Sequence, residues 1–121
     1  MLFRRSLVVS IVTLVNITVA QAQIDPRFPL SQPELLRQPP SAQGQILAQS
    51  ILKAAPDKNG CANPQASFRK AFSEGSGGWL VRCSNTTDFW VVVPPEAGKG
   101  ASILSCPMMQ ALMGRDCHTI R

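Results

Sequence analysis

The chain contains a single histidine, His118, and it lacks the motifs that mark common catalytic sites. No serine stands in a Gly-x-Ser-x-Gly context, so nothing identifies a nucleophile that Asp116 and His118 could activate. The carboxylates of Glu74, Asp88 and Glu96 are spread along the chain, whereas paired acid–base catalysis needs two carboxylates that face each other. His118 also lies close to the C-terminus, where chains usually fray. The sequence therefore predicts a protein that is not an enzyme.

Motifs that bind haem, phosphate groups or nucleic acids are also missing. No two cysteines are spaced as Cys-x-x-Cys, and Gly114 stands where a haem-attachment motif ending in Cys117 and His118 would need a cysteine. The glycine-rich stretch 75–78 precedes a predicted strand, whereas phosphate-binding loops follow a strand and open a helix. The basic residues are scattered rather than clustered, which argues against nucleic acid as a partner. We expect no cofactor and no thiol redox catalysis.

The first 22 residues have the three parts of a cleavable secretory signal. Two arginines near the start are followed by residues 6–20, which carry no charge and are mostly apolar, and Ala20 and Ala22 are small residues at alternate positions. The apolar run is shorter than the roughly 20 residues that a transmembrane helix needs, although an uncleaved anchor is the alternative. We expect cleavage after Ala22, a net charge lowered from +5 to +3 by loss of the two arginines, and a periplasmic or secreted protein with no stable membrane span.

Residues 23–40 are predicted to form a proline-rich linker, and residues 41–121 a small folded domain. Prolines lack a backbone donor and favour extended conformations. The linker contains Pro26, Pro29, Pro33, Pro39 and Pro40. The segment that follows is long enough for one domain but not for two. Because a core of this size is marginal, covalent cross-links gain importance.

The predicted order is two helices, a three-stranded antiparallel meander and a short C-terminal helix, which together make an α+β domain. The first helix covers residues 41–55, where apolar residues recur at helical spacing until Pro56. The second covers residues 63–75, because Asn63 is a good N-cap and Pro64 suits the first helical position. The remaining elements are strands at 79–83, 88–93 and 101–105 and a last helix from 107 to 114.

The first two strands form a predicted hairpin whose faces depend on the loop length. With an even loop, both tryptophans and Cys83 share one face, and the pairs are Trp79–Val92, Val81–Trp90 and Cys83–Asp88. The other face is apolar and carries Leu80, Phe89, Val91 and Val93. Because that apolar hairpin face needs a cover, we expect a protein partner there unless helices seal it. An odd loop would flip one strand and undo this assignment. We interpret the tryptophans as core anchors rather than as a surface on which sugars stack.

All four cysteines lie behind the predicted signal, and an even number in a small exported chain is typical of structural disulfides. Of the three possible pairings we favour Cys61 with Cys83 and Cys106 with Cys117. The first bridge would join the second predicted helix to the hairpin, and the second would bracket the last helix. Each bridge would contribute roughly 3 kcal/mol in the chain-entropy account.

The segment from Cys106 to His118 gathers two thiols, three thioethers and the only imidazole of the chain. Soft sulfur ligands select Cu(I), which makes Met109, Met113 and His118 candidate ligands, with Met108 beside them. Methionines four apart are equally typical of ordinary helix packing. A copper-binding protein is therefore the alternative to our main expectation, a binding or accessory protein of the periplasm or cell exterior.

Overall fold

The computed structural model describes residues 23–54 and 60–121. The elements in chain order are β1 (Gln23–Asp25), α1 (Gln32–Leu36), α2 (Pro40–Ala54), β2 (Gln65–Ala71), β3 (Gly77–Arg82), β4 (Phe89–Val93), β5 (Ala101–Ser105), α3 (Cys106–Met113) and a short 3₁₀ turn (Cys117–Thr119). They form one small α+β domain, so the predicted fold class is confirmed, whereas the number of strands and the order of helices differ. The predicted signal at 1–22 and the turn predicted after α2 lie outside the described residues.

All five strands of these residues belong to one antiparallel sheet, in the order β1-β5-β4-β3-β2. Strands β2 to β5 follow one another as a meander, and β1 is added at the far edge beside β5. Both faces of the sheet carry apolar residues, and elements packed on each face bury them. Helices α1 and α2 pack on the first face, and α3 with the C-terminal tail packs on the second. None of these helices has the length and hydropathy that a bilayer span requires.

The first face holds the larger core, which is centred on Trp79. Its buried members are Phe28, Leu35, Leu47, Ile51, Trp79, Val81, Val91, Val93, Ala101 and Ile103. The Trp79 indole is 1% exposed and donates its Nε1–H to Oε1 of the buried Gln32 at 2.8 Å. Among residues 23–54 and 60–121, the Gln32 Nε2 atom has no hydrogen-bond partner. The bond from Trp79 is therefore the only one found for this amide, which makes the pair sensitive to substitution.

The segment 23–40 is not a linker, which corrects the prediction from its prolines. Phe28 and Leu35 are fully buried in the first core. Pro33 and Pro40 lie in the first turns of α1 and α2, where the missing N–H costs no helical hydrogen bond. Ser31 caps α1 by a capping box with Glu34. Ser31, Pro33 and Pro40 are typical of helix N-termini, but the high number of prolines favoured the interpretation of this segment as a linker.

The second predicted helix, 63–75, is wrong, because residues 65–71 form strand β2. The backbone of Asn63 has a φ of 50°, which does not fit the extended backbone of a helix N-cap. β2 pairs along its length with β3, and Phe68 packs on Trp79 with ring centroids 5.4 Å apart. Phe68, Ala71 and Phe72 are spaced as on a helix, but pairing with β3 overrides this local preference.

The predicted register of the hairpin is also wrong, by one residue. Trp79 pairs with Val91 and Leu80 with Trp90, so the two tryptophans lie on opposite faces of the sheet. The stretch between the paired Val81 and Phe89 has an odd number of residues, the case that inverts the faces. Both tryptophans are nevertheless buried, as the core interpretation predicts.

The apolar hairpin face proposed for a protein partner does not exist as one surface. Val91 and Val93 are fully buried in the first core, and Phe89 is half-buried against the same core. Leu80 points to the opposite face, where it is fully buried in the second core. The argument for a partner at this face therefore has no basis.

The other predicted elements agree with the structure. The bounds of α2 differ from the prediction by one residue at each end, and β5 has the predicted bounds. α3 ends at its C-cap Gly114, which has the left-handed conformation that suits glycine. Ser105 caps α3 by accepting from the Met108 N–H.

Candidate functional site

Two disulfides fix segments beside the sheet, one packed against the first core and one within the second. Cys61 is bonded to Cys83, and Cys106 to Cys117, with Cα atoms 5.0 and 5.6 Å apart. These are the pairs favoured in the sequence analysis, although the helix from which the first pair was argued is strand β2. The first ties the segment before β2 to the end of β3, and the second ties the start of α3 to the C-terminal tail. No cysteine is left as a thiol.

The tail is also held through His118, whose ring lies between two carboxylates. Nε2 is 2.7 Å from Oδ2 of Asp88, and Nδ1 is 2.7 Å from Oδ1 of Asp116. A neutral imidazole has only one N–H, so only the protonated ring can donate to both carboxylates. Asp88 in turn accepts from the Cys83 N–H at 3.1 Å. This chain of bonds connects the tail to the loop between β3 and β4.

The three groups shift one another's pKa in the directions that the hydrogen bonds require. The bonds to Asp88 and then Asp116 raise the pKa of His118 above its ordinary value of 6.5, although partial burial opposes them. Burial acts to raise the pKa of Asp88, but the bonds from His118 and Cys83 and the nearby charges outweigh it, so this pKa lies below 3.8. The backbone N–H of His118, followed by its ring, lowers the pKa of Asp116.

Stability is therefore expected to depend on pH through His118. Because the folded protein raises the pKa of His118, its contribution is complete below about pH 6.5 and is lost as pH rises through the raised value. The contributions of Asp88 and Asp116, whose pKa values are lowered, are present above about pH 3.8 and are lost only in acid. We expect the Tm advantage of the native protein over His118→Gln to be largest near about pH 5–6 and to shrink by about pH 9.

The control for this prediction is ionic strength. The His118 side chain is 38% exposed, so added salt should reduce the Tm advantage at the lower pH without moving its midpoint far. Thermal melts of both proteins across the pH range provide the measurement. A Tm difference that stays constant from acid to alkaline pH would contradict the charged bridge.

The same geometry leaves the His118 ring with little catalytic capacity. Both ring nitrogens are occupied by carboxylates, and no hydroxyl group of the described chain bonds to the ring. The shallow cavity beside the ring, about 550 Å³, is lined in part by exposed polar residues such as Thr87, Gln110 and Asp116. The prediction that the protein is not an enzyme stays a prediction.

The candidate copper ligands are divided between two places. Met109 and Met113 line a cavity on the sheet side of α3, and His118 lines the shallow cavity near the helix start. The sulfur atoms of Cys106 and Cys117 lie within 4.8 Å of a His118 ring nitrogen, but they are bonded to each other. Thiolates and thioethers both bind soft metals, but the disulfide leaves no thiolate, and the thioethers of Met109 and Met113 line a different cavity from the His118 imidazole. Copper binding stays a prediction that this arrangement does not favour.

A more enclosed cavity of about 310 Å³ lies between the second face of the sheet, α3 and the tail, and we name it the sheet–α3 cavity. Its lining residues are Lys70, Phe72, Trp90, Val92, Ser102, Leu104, Met109, Met113, Arg115 and Ile120. Its volume is at the lower end of the range of roughly 300–1,000 Å³ that is usual for small-molecule sites. Most of the lining is apolar, and α3 covers it only in part: Met109 is 4% exposed, whereas Met113 is 60% exposed. Because burial of exposed apolar surface is favourable, a concave apolar surface that solvent can reach favours the binding of an apolar ligand.

The floor of this cavity depends on a glycine. Gly78 lies on β3 directly opposite Val92, and a side-chain carbon at this position would overlap the indole of Trp90. Because glycine leaves this space open, the indole can lie across β3 and form part of the floor. Ser102 and Leu104 continue the floor on β5.

A β-bulge brings two further lining residues to the same face. Phe68 pairs with Trp79 and Lys70 pairs with Gly78, so Arg69 is an extra residue in β2. An extra residue inverts the alternation of the strand beyond it. Phe68 therefore contacts the first core, whereas Lys70 lines the sheet–α3 cavity.

The side chain of the bulged residue also secures the wall of the cavity. Arg69 donates from Nε to the Ser67 hydroxyl at 3.0 Å and from Nη1 to the His118 carbonyl at 3.4 Å. His118 is two residues before Ile120, which is 5% exposed and lines the cavity. The bulge therefore directs Lys70 toward the cavity. Through the hydrogen bond from Arg69 to the His118 carbonyl, it also helps to hold the tail that carries Ile120.

Most of these lining residues could not be found from the sequence. The alternation of β4 and β5 does put Trp90, Val92 and Leu104 on one face once the strands are recognised. Lys70 and Phe72 were assigned to a helix, and no local signal places Arg115 or Ile120 beside the sheet. Comparison with protein-family models, curated proteins and solved structures finds no match to this chain.

Proposed function

We propose that this protein is an exported binding protein that holds a small apolar ligand in the sheet–α3 cavity. The observation that carries the proposal is the cavity itself, whose apolar floor is left partly uncovered by α3. Buried polar chemistry of the kind that drives catalysis is not found among its described lining residues. The two disulfides and the signal predicted at residues 1–22 support export, because disulfides persist in oxidising compartments.

Two neighbouring residues of α3 allow a matched test of this proposal. Met113 is 60% exposed and lines the cavity, whereas Leu112 is 55% exposed and does not line it. A carboxylate placed beside the apolar floor would be desolvated by a ligand, at a cost in affinity. We expect Met113→Glu to weaken the binding of octanol by about tenfold or more, a loss of about 1.4 kcal/mol, and Leu112→Glu to leave it nearly unchanged.

Binding is measured by calorimetry, with the emission of Trp90 as a second signal because its indole contributes to the cavity floor. Trp79 lies on the opposite face and is 1% exposed, so it should respond little. Absence of heat and of an emission change up to about 1 mM octanol would exclude a ligand cavity of useful affinity. Equal losses in the two glutamate variants would show that the ligand binds elsewhere.

A further inference from the structure

We propose that the natural ligand is a monomeric, single-chain amphiphile with an anionic head group, which Lys70 and Arg115 hold at the mouth of the sheet–α3 cavity. This inference rests on the proposed function, since it specifies the ligand of the same cavity. The proposed ligand has two parts: an apolar chain that lies on the floor of the cavity and an anionic head group that lies at its mouth.

The charge of the cavity supports the anionic head group. Lys70 and Arg115 are the charged residues among those that line it, and both are exposed. Within residues 23–54 and 60–121, neither has a carboxylate of the protein within 4.0 Å. The other polar lining residue, Ser102, can accept or donate a hydrogen bond but adds no charge. Two cations without acidic neighbours beside an apolar floor complement an anion that carries an apolar chain.

The shape of the cavity supports a single extended chain rather than a flat partner. Lys70, Gly78, Val92 and Ser102 are paired in one row across β2, β3, β4 and β5. Three strand spacings make this row about 14 Å long, with Lys70 at one end. The Trp90 indole covers Gly78 in this row and forms a flat apolar floor there, and Met109 and Ile120 wall the row on the side of α3. A chain laid on this floor would have its head group within reach of the lysine.

Three octyl compounds with the same chain and different head groups test the inference. We expect octanoate to bind the native protein at least about fivefold more tightly than octyltrimethylammonium, with octanol between them. Because the two cations are exposed, this preference should weaken as salt is added. All three are used below the concentrations at which they form micelles, so that monomers are measured.

Variants then assign the preference to the two cations. Lys70→Gln combined with Arg115→Gln is expected to bring the affinity ratio of octanoate to octyltrimethylammonium close to one. Arg37→Gln combined with Lys99→Gln removes the same net charge from positions outside the cavity, and it should keep the native ratio. This control separates local recognition from the positive charge of the whole protein.

The outcomes distinguish a failure of this inference from a failure of the proposed function. If octanol binds but the head group makes no difference, the cavity function stands and the anionic amphiphile is wrong. If none of the three compounds binds, both proposals are wrong. Binding to anionic phosphatidylglycerol vesicles that octanoate does not displace would make a bilayer surface the occupant and would overturn the inference. A dimer that octanol dissociates would overturn it in favour of a second copy of the chain.

Discussion

A Trp79→Ala substitution is expected to lower the free energy of unfolding by about 3–5 kcal/mol. The Trp79 side chain is 1% exposed at the centre of the first core and packs on Phe68. Its removal would leave a large cavity between α2 and the sheet. It would also leave Oε1 of Gln32 without the Nε1–H that it now accepts, in an amide whose Nε2 already has no partner. Urea unfolding followed by far-ultraviolet circular dichroism measures the effect.

The packing and hydrogen-bond contributions can be separated by smaller changes. Trp79→Phe keeps much of the apolar volume and removes the N–H donor, so we expect a loss of about 1–3 kcal/mol. Adding Gln32→Met should restore part of that stability, because it replaces an unpaired amide by an apolar side chain of similar length. A loss below about 1 kcal/mol for Trp79→Ala would show that this residue does not form the core.

Removal of either disulfide is expected to cost about 3 kcal/mol, but only one removal should also weaken ligand binding. The bridges join residues 22 and 11 positions apart, and loop closure in this range predicts similar stabilities. The Cys106–Cys117 bridge holds the tail that carries Ile120, a wall of the sheet–α3 cavity. The Cys61–Cys83 bridge packs against the first core, on the opposite face of the sheet from that cavity.

Two double variants form a matched pair: Cys106→Ala/Cys117→Ala and Cys61→Ala/Cys83→Ala. Both should lose a similar free energy of unfolding, but only the first should release a wall of the cavity. We expect octanol affinity to fall by about tenfold or more in the first and to stay near the native value in the second, at a temperature where both are folded. Urea unfolding and calorimetry on the same samples provide both readings. Equal losses of affinity in the two variants would contradict the assignment of the tail as a wall.

The sequence was informative where a short signal determines the structure. The spacing of Leu47 and Ile51 predicted α2, and Pro107 and Gly114 bounded α3. The cysteine count and the predicted export favoured disulfides, and the short separation of Cys106 and Cys117 favoured their bridge. The Cys61–Cys83 pair is also correct, but the helix from which it was argued is strand β2. Each of these inferences depends on residues within a few turns of one another or on a small number of pairings.

The failures involve pairing between distant segments. Residues 65–71 fit a helical stripe, and only the contact with β3 makes them a strand. The same holds for residues 23–25, which form β1 because β5 offers an edge, with Asp25 anchored by the Ser50 hydroxyl at 2.6 Å. Composition alone could not show that Phe28 and Leu35 would find a core.

The candidate site also depends on pairing between distant segments, which the sequence does not show. Because side chains alternate between the two faces along a strand, an error of one residue puts every side chain on the wrong face. A register error of one residue moved Trp90 to the wrong face, and the bulge at Arg69 inverted Lys70 and Phe72 as well. Such one-residue shifts carry no clear sequence signal, yet they decide which side chains meet. Four of the ten residues that line the sheet–α3 cavity depend on such shifts: Lys70, Phe72, Trp90 and Val92.

The pairing of β1 with β5 also has a consequence for how the chain folds. Asp25 pairs with Ala101, so the first strand of the sheet can pair only after the last strand, β5, has formed, whereas β2 to β5 pair with their sequence neighbours. Contacts this remote raise the contact order and slow the search for the native topology. We therefore expect the three residues of β1 to complete the sheet late in folding. As a short edge strand, β1 should also be among the first to exchange its amide protons with water when the sheet opens locally.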